Sequence, residues 1–488
     1  MITGNIVVRE SQEEGISMKR IFSTLVVIVF GMQIGIGTGT DTIAAEQPNS
    51  VEIETDRVIV KMKPSANKDS LKKYNVSEET IDSQGLLKTL EVPDETSVTS
   101  FIKKLEKDNN VEYVEPDYLI QKMKKPSDPH YTKQYHHKLI QTEKAWDKTK
   151  GSKSIVVAVI DDGADLNHPD LKGKYYAPYN MVTFSSSYLP MGDHGTHVAG
   201  IIAGTMNNGS GGTGVAPNTR IMPINVFNGN ASYTSDVIYA LYYAVEYGAD
   251  IINMSLGSYT YSYSFDDAIQ YTHDMGLVIV AAAGNEDTYW DSYPASYDNV
   301  ISVSATSKND RITDYSNYGY NIDLAAPGDS IYSSLPYKSY GYMTGTSMAA
   351  PIVTGVAALV WGNKPSLTNT QVEERLFSTA DDLGKKGRDH LYGNGRVNAK
   401  RAVNYIAKPT VNTFKDNVKT ITGIAEKGST ITVKKGSSQL GKATTNSSGT
   451  FKITIKNKQK AGTKLSVTAK SKAGYYSKAR TVTVAKSK

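Results

Sequence analysis

Ser154-Ile155-Val156-Val157-Ala158-Val159-Ile160-Asp161-Asp162-Gly163 is an apolar run of strand length, closed by two carboxylates and a glycine. It is too short for an ordinary helix and shows no alternation of polar and apolar residues, so both faces of a strand here would be buried. A strand of that kind belongs inside a parallel sheet. Further runs follow on either side of helical stretches: Arg220 to Val226, Asp250 to Met254, Leu277 to Ala283 and Val300 to Val303. Between about Pro126 and Ile406 the expected fold class is therefore α/β, a parallel sheet with helices on both faces. In such sheets the reactive groups collect at the carboxyl ends of the strands.

The flanks read differently. From Val51 to Lys125, a strand-like run (Arg57 to Met62), a helix-like run (Val98 to Lys107) and a second strand-like run (Val111 to Val114) make a small α+β unit. After Ala407 and Pro409 come short Thr-, Val-, Ile- and Lys-rich alternating runs: Val418 to Thr422, Thr430 to Lys434, Thr450 to Ile455, Leu465 to Lys470 and Arg480 to Val484. Turn residues at Gly436, Asn446 to Gly449 and Ala473-Gly474 separate them, so this part reads as one small all-β immunoglobulin-like sandwich.

A chain of 488 residues with 39% hydrophobic and 21% charged residues has enough apolar material for several cores. It contains no cysteine, which removes disulfides, thiol nucleophiles and cysteine-ligated zinc together. The net charge of +5 hides an asymmetry: from Pro409 onward there are 17 Lys and Arg against 2 Asp and Glu. A polyanion suits such a tail, as does a plain solvated spacer. Nucleic acid is not expected, because no aromatic residues interleave with the charge. Ile21 to Gly37 is the one long apolar segment, with Lys19-Arg20 before it and small residues around Thr42 to Ala45 after it. That is the order of a secretory signal peptide, placed at 1–45 with cleavage near Ala44 or Ala45; an uncleaved anchor is the alternative. Met18 makes residues 1–17 a candidate misassigned start.

Three segments carry groups suited to catalysis. Asp161 or Asp162 puts a carboxylate at a strand end, and the residues alone do not separate the two. His194 lies in His194-Gly195-Thr196-His197-Val198-Ala199-Gly200, whose small residues suit a closely packed buried helix. His194 and His197 share a helix face, but no Glu stands between them as a zincin needs. Ser347 lies in Gly345-Thr346-Ser347-Met348-Ala349-Ala350-Pro351, at the start of the apolar helix Ile352 to Trp361, where a serine usually caps. Pro351 is expected within that helix's first turn. A hydroxyl and a helix N-terminus in one place can also face a developing anion.

Together these segments closely resemble the subtilisin-like serine peptidases, in the family's Asp, His, Ser order, over roughly Asp128 to Ala402. The resemblance selects Asp161 over Asp162 and implies a triad of Asp161, His194 and Ser347. Asn285, in Ala283-Gly284-Asn285-Glu286, matches the family's oxyanion asparagine. Ser255, Leu256 and Gly257, with Ala283, Gly284 and Ser292, match segments that hold an extended peptide, and Glu286 to Ser292 is short compared with some relatives. The resemblance also implies structural calcium in a thermitase-like loop, on Asp128, Asp170 and Asn208 with carbonyls of Thr205, Ser210 and Gly212. There the glycine-rich stretch Gly209 to Gly212 departs from a more apolar family loop. Residues 46–125 resemble the family's inhibitory propeptide, whose tail Tyr118 to Lys125 would lie in the cleft. Residues 126–406 would be the peptidase and 409–488 resemble bacterial immunoglobulin-like domains.

The implied protein is a secreted, self-processed, monomeric serine endopeptidase acting on polypeptides, with its own propeptide as inhibitor and an anionic cell-wall polymer as a partner for 409–488. A narrow processing protease and an inactive scaffold on a wall-binding protein are the alternatives, and the sequence does not fix the residue preferred at the cut.

Overall fold

The computed structural model describes residues 55–67, 69–93, 96–118, 125–471 and 474–487. The expected signal segment at 1–45 and most of the expected propeptide tail lie outside these residues. The chain divides into two compact units, residues 1–119 and 120–488.

In the first unit, four antiparallel strands pair in the order Glu78–Thr80, Leu87–Glu91, Arg57–Met62, Val111–Pro116. Ser97 caps the helix Val98–Leu105 by accepting the Ser100 N–H, and Phe101 and Leu105, four residues apart, enter the core on one helix face. Val58, Val60 and Met62 enter it from alternate positions of their strand.

The second unit is built on seven parallel strands: β1 (Val156–Asp161), β2 (Tyr179–Asn180), β3 (Arg220–Asn225), β4 (Ile251–Met254), β5 (Val278–Ala282), β6 (Ile301–Thr306) and β7 (Leu324–Pro327), in the order β7-β6-β5-β4-β1-β3-β2. All of β1 is buried, as a run without alternation requires. Its odd-numbered apolar residues, Val157 and Val159, face one core. Its even-numbered ones, Val156, Ala158 and Ile160, face the other. The first core is completed by α1 (Asp193–Ala203), α4 (Thr346–Asn363) and α5 (Asn369–Thr379); the second by α2 (Thr234–Glu246) and α3 (Tyr263–Asp274).

Because α4 is buried on every side from Met348 to Trp361, it behaves as a central core helix rather than an amphipathic surface one. Small residues allow the close packing. A Cβ at Gly355 would stand 2.6 Å from the Cβ of Val215, and one at Gly200 would stand 2.0 Å from the Ser334 hydroxyl. One local expectation is corrected: α4 starts at Thr346, so Pro351 lies inside the helix beyond its first turn. Its missing N–H leaves the Ser347 carbonyl without the usual helical donor. The Ser255 hydroxyl takes that place, donating to Ser347 O at 2.9 Å.

The tail forms two antiparallel sheets. Three strands pair as Thr410–Val411, Thr420–Ile424, Thr450–Thr454, and four as Ser438–Thr444, Thr430–Lys435, Lys464–Lys470, Arg480–Thr483. Ile421, Ile431, Val433, Phe451, Ile453, Leu465 and Val467 fill the space between them. The expected immunoglobulin-like arrangement is present, with two strands, Thr410–Val411 and Ser438–Thr444, that the alternation did not mark.

Candidate active site

Asp161 is the last residue of β1, and α1 runs beneath the sheet so that His194, its second residue, meets that carboxylate. The Nδ1 of His194 lies 2.8 Å from one carboxylate oxygen and 3.0 Å from the other. Asp161 is nearly inaccessible (2%), whereas His194 keeps about a third of its side chain in solvent. Burial works to lower the pKa of His194, but Asp161 outweighs it, and Asp162 adds on the same side, so the group is raised to about 9. Since Nδ1 is held by Asp161, Nε2 is the atom left for proton exchange with a substrate-side group.

The structure also separates the two neighbouring carboxylates. Asp162 does not reach the imidazole; its oxygens accept the backbone N–H of His194 at 3.2 Å and of Gly195 at 2.7 Å.

Ser347 is the second residue of α4; Gly345, with φ of 154°, occupies the cap position, so Ser347 is not the capping residue. Its hydroxyl donates to the Ser255 carbonyl at 3.3 Å. Its backbone N–H lies in the first helical turn and has no acceptor among the described residues.

Asn285 follows β5 in an exposed turn, and its side chain has a fixed orientation. The Thr346 N–H, at 2.8 Å, and the Thr346 hydroxyl, at 3.0 Å, both meet the same side-chain atom. Because a backbone N–H only donates, that atom is Oδ1, and the Nδ2 amino group, on the other arm of the amide, has no acceptor among the described residues. The Thr346 hydroxyl in turn accepts the Gly284 N–H at 3.1 Å. Sequence reasoning missed Thr346 in this role, although its place directly before Ser347 was in view.

The expected peptide-binding residues come together around this turn. Ser258 and Tyr293 exchange backbone hydrogen bonds at 2.8 and 2.7 Å, which brings Gly257 onto Ser292; a Cβ at Gly257 would stand 2.8 Å from the Ser292 hydroxyl. Ser255, Ala283 and Ser292 are buried, Leu256 and Gly284 half-buried, and Gly257 exposed. Gly284 adopts φ of 109°, and a Cβ there would strike the Asn317 amide at 2.2 Å. Asn317 is a second residue that sequence reasoning missed: it donates to Ala283 O at 3.0 Å and accepts the Glu286 N–H at 2.9 Å, so it clamps the turn carrying Asn285.

The expected calcium residues also gather. Asp128 and Asp170 are buried, 4% and 3% exposed. Asp128 accepts the N–H groups of Asn207 at 2.7 Å and Asn208 at 3.0 Å, while the Asn208 side chain bridges to Asp170 at 2.7 Å. Thr205 donates through both N–H and hydroxyl to the Asp170 carbonyl, and Ser210 N–H reaches Asn208 Oδ1 at 2.9 Å. Burial pushes the Asp170 carboxyl up to about 6, with Asp128 adding to the same side. The glycine-rich loop has a steric reason. A Cβ at Gly211, where φ is 48°, would stand 2.3 Å from Asp170 Oδ2, and one at Gly212 would stand 2.3 Å from Gln134. Among the described residues no three His, Cys, Asp or Glu side chains converge on a metal position. Two buried carboxylates closed over by backbone and side-chain amides, with the Asn208 side chain between them, nevertheless fit a hard cation, which takes oxygen ligands of these kinds.

Comparison with known proteins places these features in context. Residues 152–395 match the model of the subtilase family, residues 39–117 a fervidolysin N-terminal prodomain, and residues 407–486 a bacterial Ig domain. A thermophilic serine proteinase of Bacillus sp. (strain AK1) is 41% identical over 311 residues, 63% of this chain and 77% of the relative. Thermitase of Thermoactinomyces vulgaris is 39% identical over 282 residues, 57% of this chain and 99% of its own length. A solved protease of Pseudoalteromonas arctica PAMC 21717 superposes with a TM-score of 0.54 at 32% identity, covering 58% of this chain and 99% of that one.

Proposed function

The chain belongs to the subtilase family of serine proteases and carries a prodomain, and from that premise we infer that Asp161, His194 and Ser347 cut peptide bonds through an acyl-enzyme. The observation that carries this reading is the bifurcated Asp161–His194 contact, which holds Nδ1 and leaves Nε2 as base. As substrate enters, the Ser347 hydroxyl turns from Ser255 towards Nε2, a tightening expected when a site passes from its free to its bound state. Ser347 Oγ attacks the scissile carbonyl carbon and its proton passes to Nε2. The oxyanion meets Asn285 Nδ2 and the Ser347 N–H. The carbon–nitrogen bond then breaks, His194 gives its proton to the leaving amine, and water repeats the sequence to free the acyl group. Ser255, Leu256 and Gly257, opposite Ala283, Gly284 and Ser292, would hold the peptide as an added strand.

In this reading residues 1–45 direct secretion, 46–125 fold the enzyme and inhibit it until cut, 126–406 form the peptidase, and 409–488 bind outside it. The test is casein digestion by the secreted chain and by Ser347→Ala, with release of the N-terminal segment followed in parallel. Digestion and release by the parent alone support the reading. Release without digestion points to a narrow processing protease, and identical behaviour of the two proteins points to an inactive scaffold.

Asp128, Asp170 and Asn208, with the Thr205, Ser210 and Gly212 carbonyls, would hold the calcium. Bound there, the ion would neutralise the buried carboxylates and pin the chain near Asp128 to the Thr205–Gly212 loop. At a hundredfold excess over its dissociation constant, such a ligand adds about 2.7 kcal/mol to stability. For a domain of this size that corresponds to roughly 5–10 °C in Tm. Chelation of the Ser347→Ala protein is expected to lower its Tm by that amount, reversibly on adding calcium. Asp170→Asn should abolish the response, and an unchanged melting curve would sink the assignment.

For the tail, support comes from where its charges lie. Its two acids are both engaged: Glu426 pairs with Lys364 of the peptidase at 3.4 Å, and Asp416 accepts the Ser487 N–H at 2.8 Å. The strand register puts Lys434, Lys464 and Lys470 on the outer face of the four-stranded sheet with Thr432, Ser466 and Thr468. An anionic wall polymer such as teichoic acid would displace counterions from that face, so binding should weaken steeply with salt. Teichoic acid is expected to retain Ser347→Ala protein and release it as salt rises. Changing Lys434, Lys464 and Lys470 to glutamine should remove the retention; if it does not, the tail is a spacer.

A further inference from the structure

The carboxylate beside the triad is placed too deliberately to be a turn former. Asp162 turns under α1 and accepts two successive backbone N–H groups, one of them that of His194 itself. Room for it exists because two neighbours lack side chains: a Cβ at Gly192 would stand 1.9 Å from Asp162 Oδ1, and one at Gly195 would stand 3.0 Å from the same atom and 2.1 Å from Gly163 O. The backbone N–H of Asp162 is also donated to Asp161 Oδ1 at 2.8 Å, the oxygen that meets His194. Asp162 is thus tied to both members of the Asp161–His194 pair without touching the imidazole.

We propose that Asp162 is a positioning residue for peptide hydrolysis: its carboxylate grips the first turn of α1, holds His194 on Asp161 and supplies a second negative charge to the imidazolium formed during the reaction. The proposal rests on the triad reading above.

Among the described residues, the charged groups that act on the pair are few. Asp161 lies on β1. On α1, Asp193 is exposed and His197, one turn on, is buried and lowered to about 4, so it is neutral at working pH. Gly192, against which Asp162 packs, and its neighbours Pro190 and Met191 carry no charge. Burial first, and Asp161 second, raise the Asp162 carboxyl to about 6. It is therefore ionised over the range in which His194, raised to about 9, gives up its proton. A neighbouring anion favours the imidazolium, so it pushes the acid limb of kcat/KM towards alkaline pH and stabilises the charged histidine of the transition state.

Asp162→Asn keeps the shape and one acceptor but removes the charge. In this variant the acid limb of kcat/KM is expected to move down by about one pH unit, with a roughly tenfold fall in plateau kcat and little change in KM. In the Ser347→Ala background, the His194 imidazole resonance should titrate lower by the same amount. A lower melting temperature with the limb, kcat and resonance unmoved would mean a structural role only and would overturn the proposal. Should Asp162→Asn fail to fold, the Ser347→Ala protein still decides: its His194 resonance should show a second inflection near pH 6, and a single-site curve overturns the idea. Loss of the triad reading looks different, because parent and Ser347→Ala would then digest casein equally.

Discussion

Ser347→Ala is expected to lower kcat on the order of 10⁶-fold, the scale known from a subtilisin itself, and to leave KM nearly unchanged. The change removes one oxygen and little else. The Ser347 carbonyl keeps its hydrogen bond from Ser255, and its N–H stays free in the first turn of α4. The proposed oxyanion donors and peptide-binding segments are untouched, so a residual acceleration of roughly 10³–10⁴-fold over uncatalysed hydrolysis should persist through binding and electrostatics alone. The prodomain should remain attached in this variant. The check is steady-state hydrolysis of a chromogenic peptide with active-site titration, alongside the mass of the secreted chain. Normal titration by Ser347→Ala would remove the serine from the mechanism.

Asn285→Ala is expected to cost about 10²–10³-fold in kcat, again with KM little changed; the scale comes from the equivalent change in a subtilisin. The geometry says why the loss falls on the transition state. Thr346 fixes Oδ1, so in the proposed role Nδ2 would wait in one orientation for a charge that only the tetrahedral intermediate bears, and no reorganisation would be needed when that charge appears. Asn285→Asp makes the sharper comparison. Thr346 would still find its acceptor, but the other oxygen would meet the oxyanion with like charge, so the loss should exceed that of alanine. An aspartate variant as active as the parent would show that this side chain does not face the developing charge.

How far the sequence reaches depends on whether a signal is local. The run Ile155 to Ile160 announces a doubly buried strand because burial on both faces leaves no place for a polar residue, and the structure shows those residues split between two cores. The motifs around His194 and Ser347 were visible for the same reason: close packing demands Gly200, Ala349 and Ala350 beside them. Asp161 and Asp162 could not be told apart from the residues alone, since both are strand-end carboxylates and only the approach of α1 decides which one meets the imidazole. Asn317 is hidden because it reaches Ala283 and Glu286 from a distant loop. The strand Ser438–Thr444 was missed because Ser-Gln-Leu-Gly-Lys-Ala-Thr has little β-propensity; it forms at a sheet edge by pairing with Thr430–Lys435. Composition does not fix where a helix starts, so it places Pro351 one turn too early, and the compensating Ser255 hydroxyl comes from the residue just past β4.

The order of the site along the chain has a consequence for timing. Asp161 ends the first strand of the parallel sheet, and Ser347 lies in the first turn of the core helix that packs against β4, β5, β6 and β7, after all seven strands have passed. On the proposed roles, a growing polypeptide thus holds Asp161 and His194 long before it holds the nucleophile Ser347. Parallel strands pair only through long crossovers, and such non-local sheets assemble late and slowly. On the roles proposed above, the nucleophile is therefore the last part of the site to be supplied, and cutting waits on the docking of the core helix.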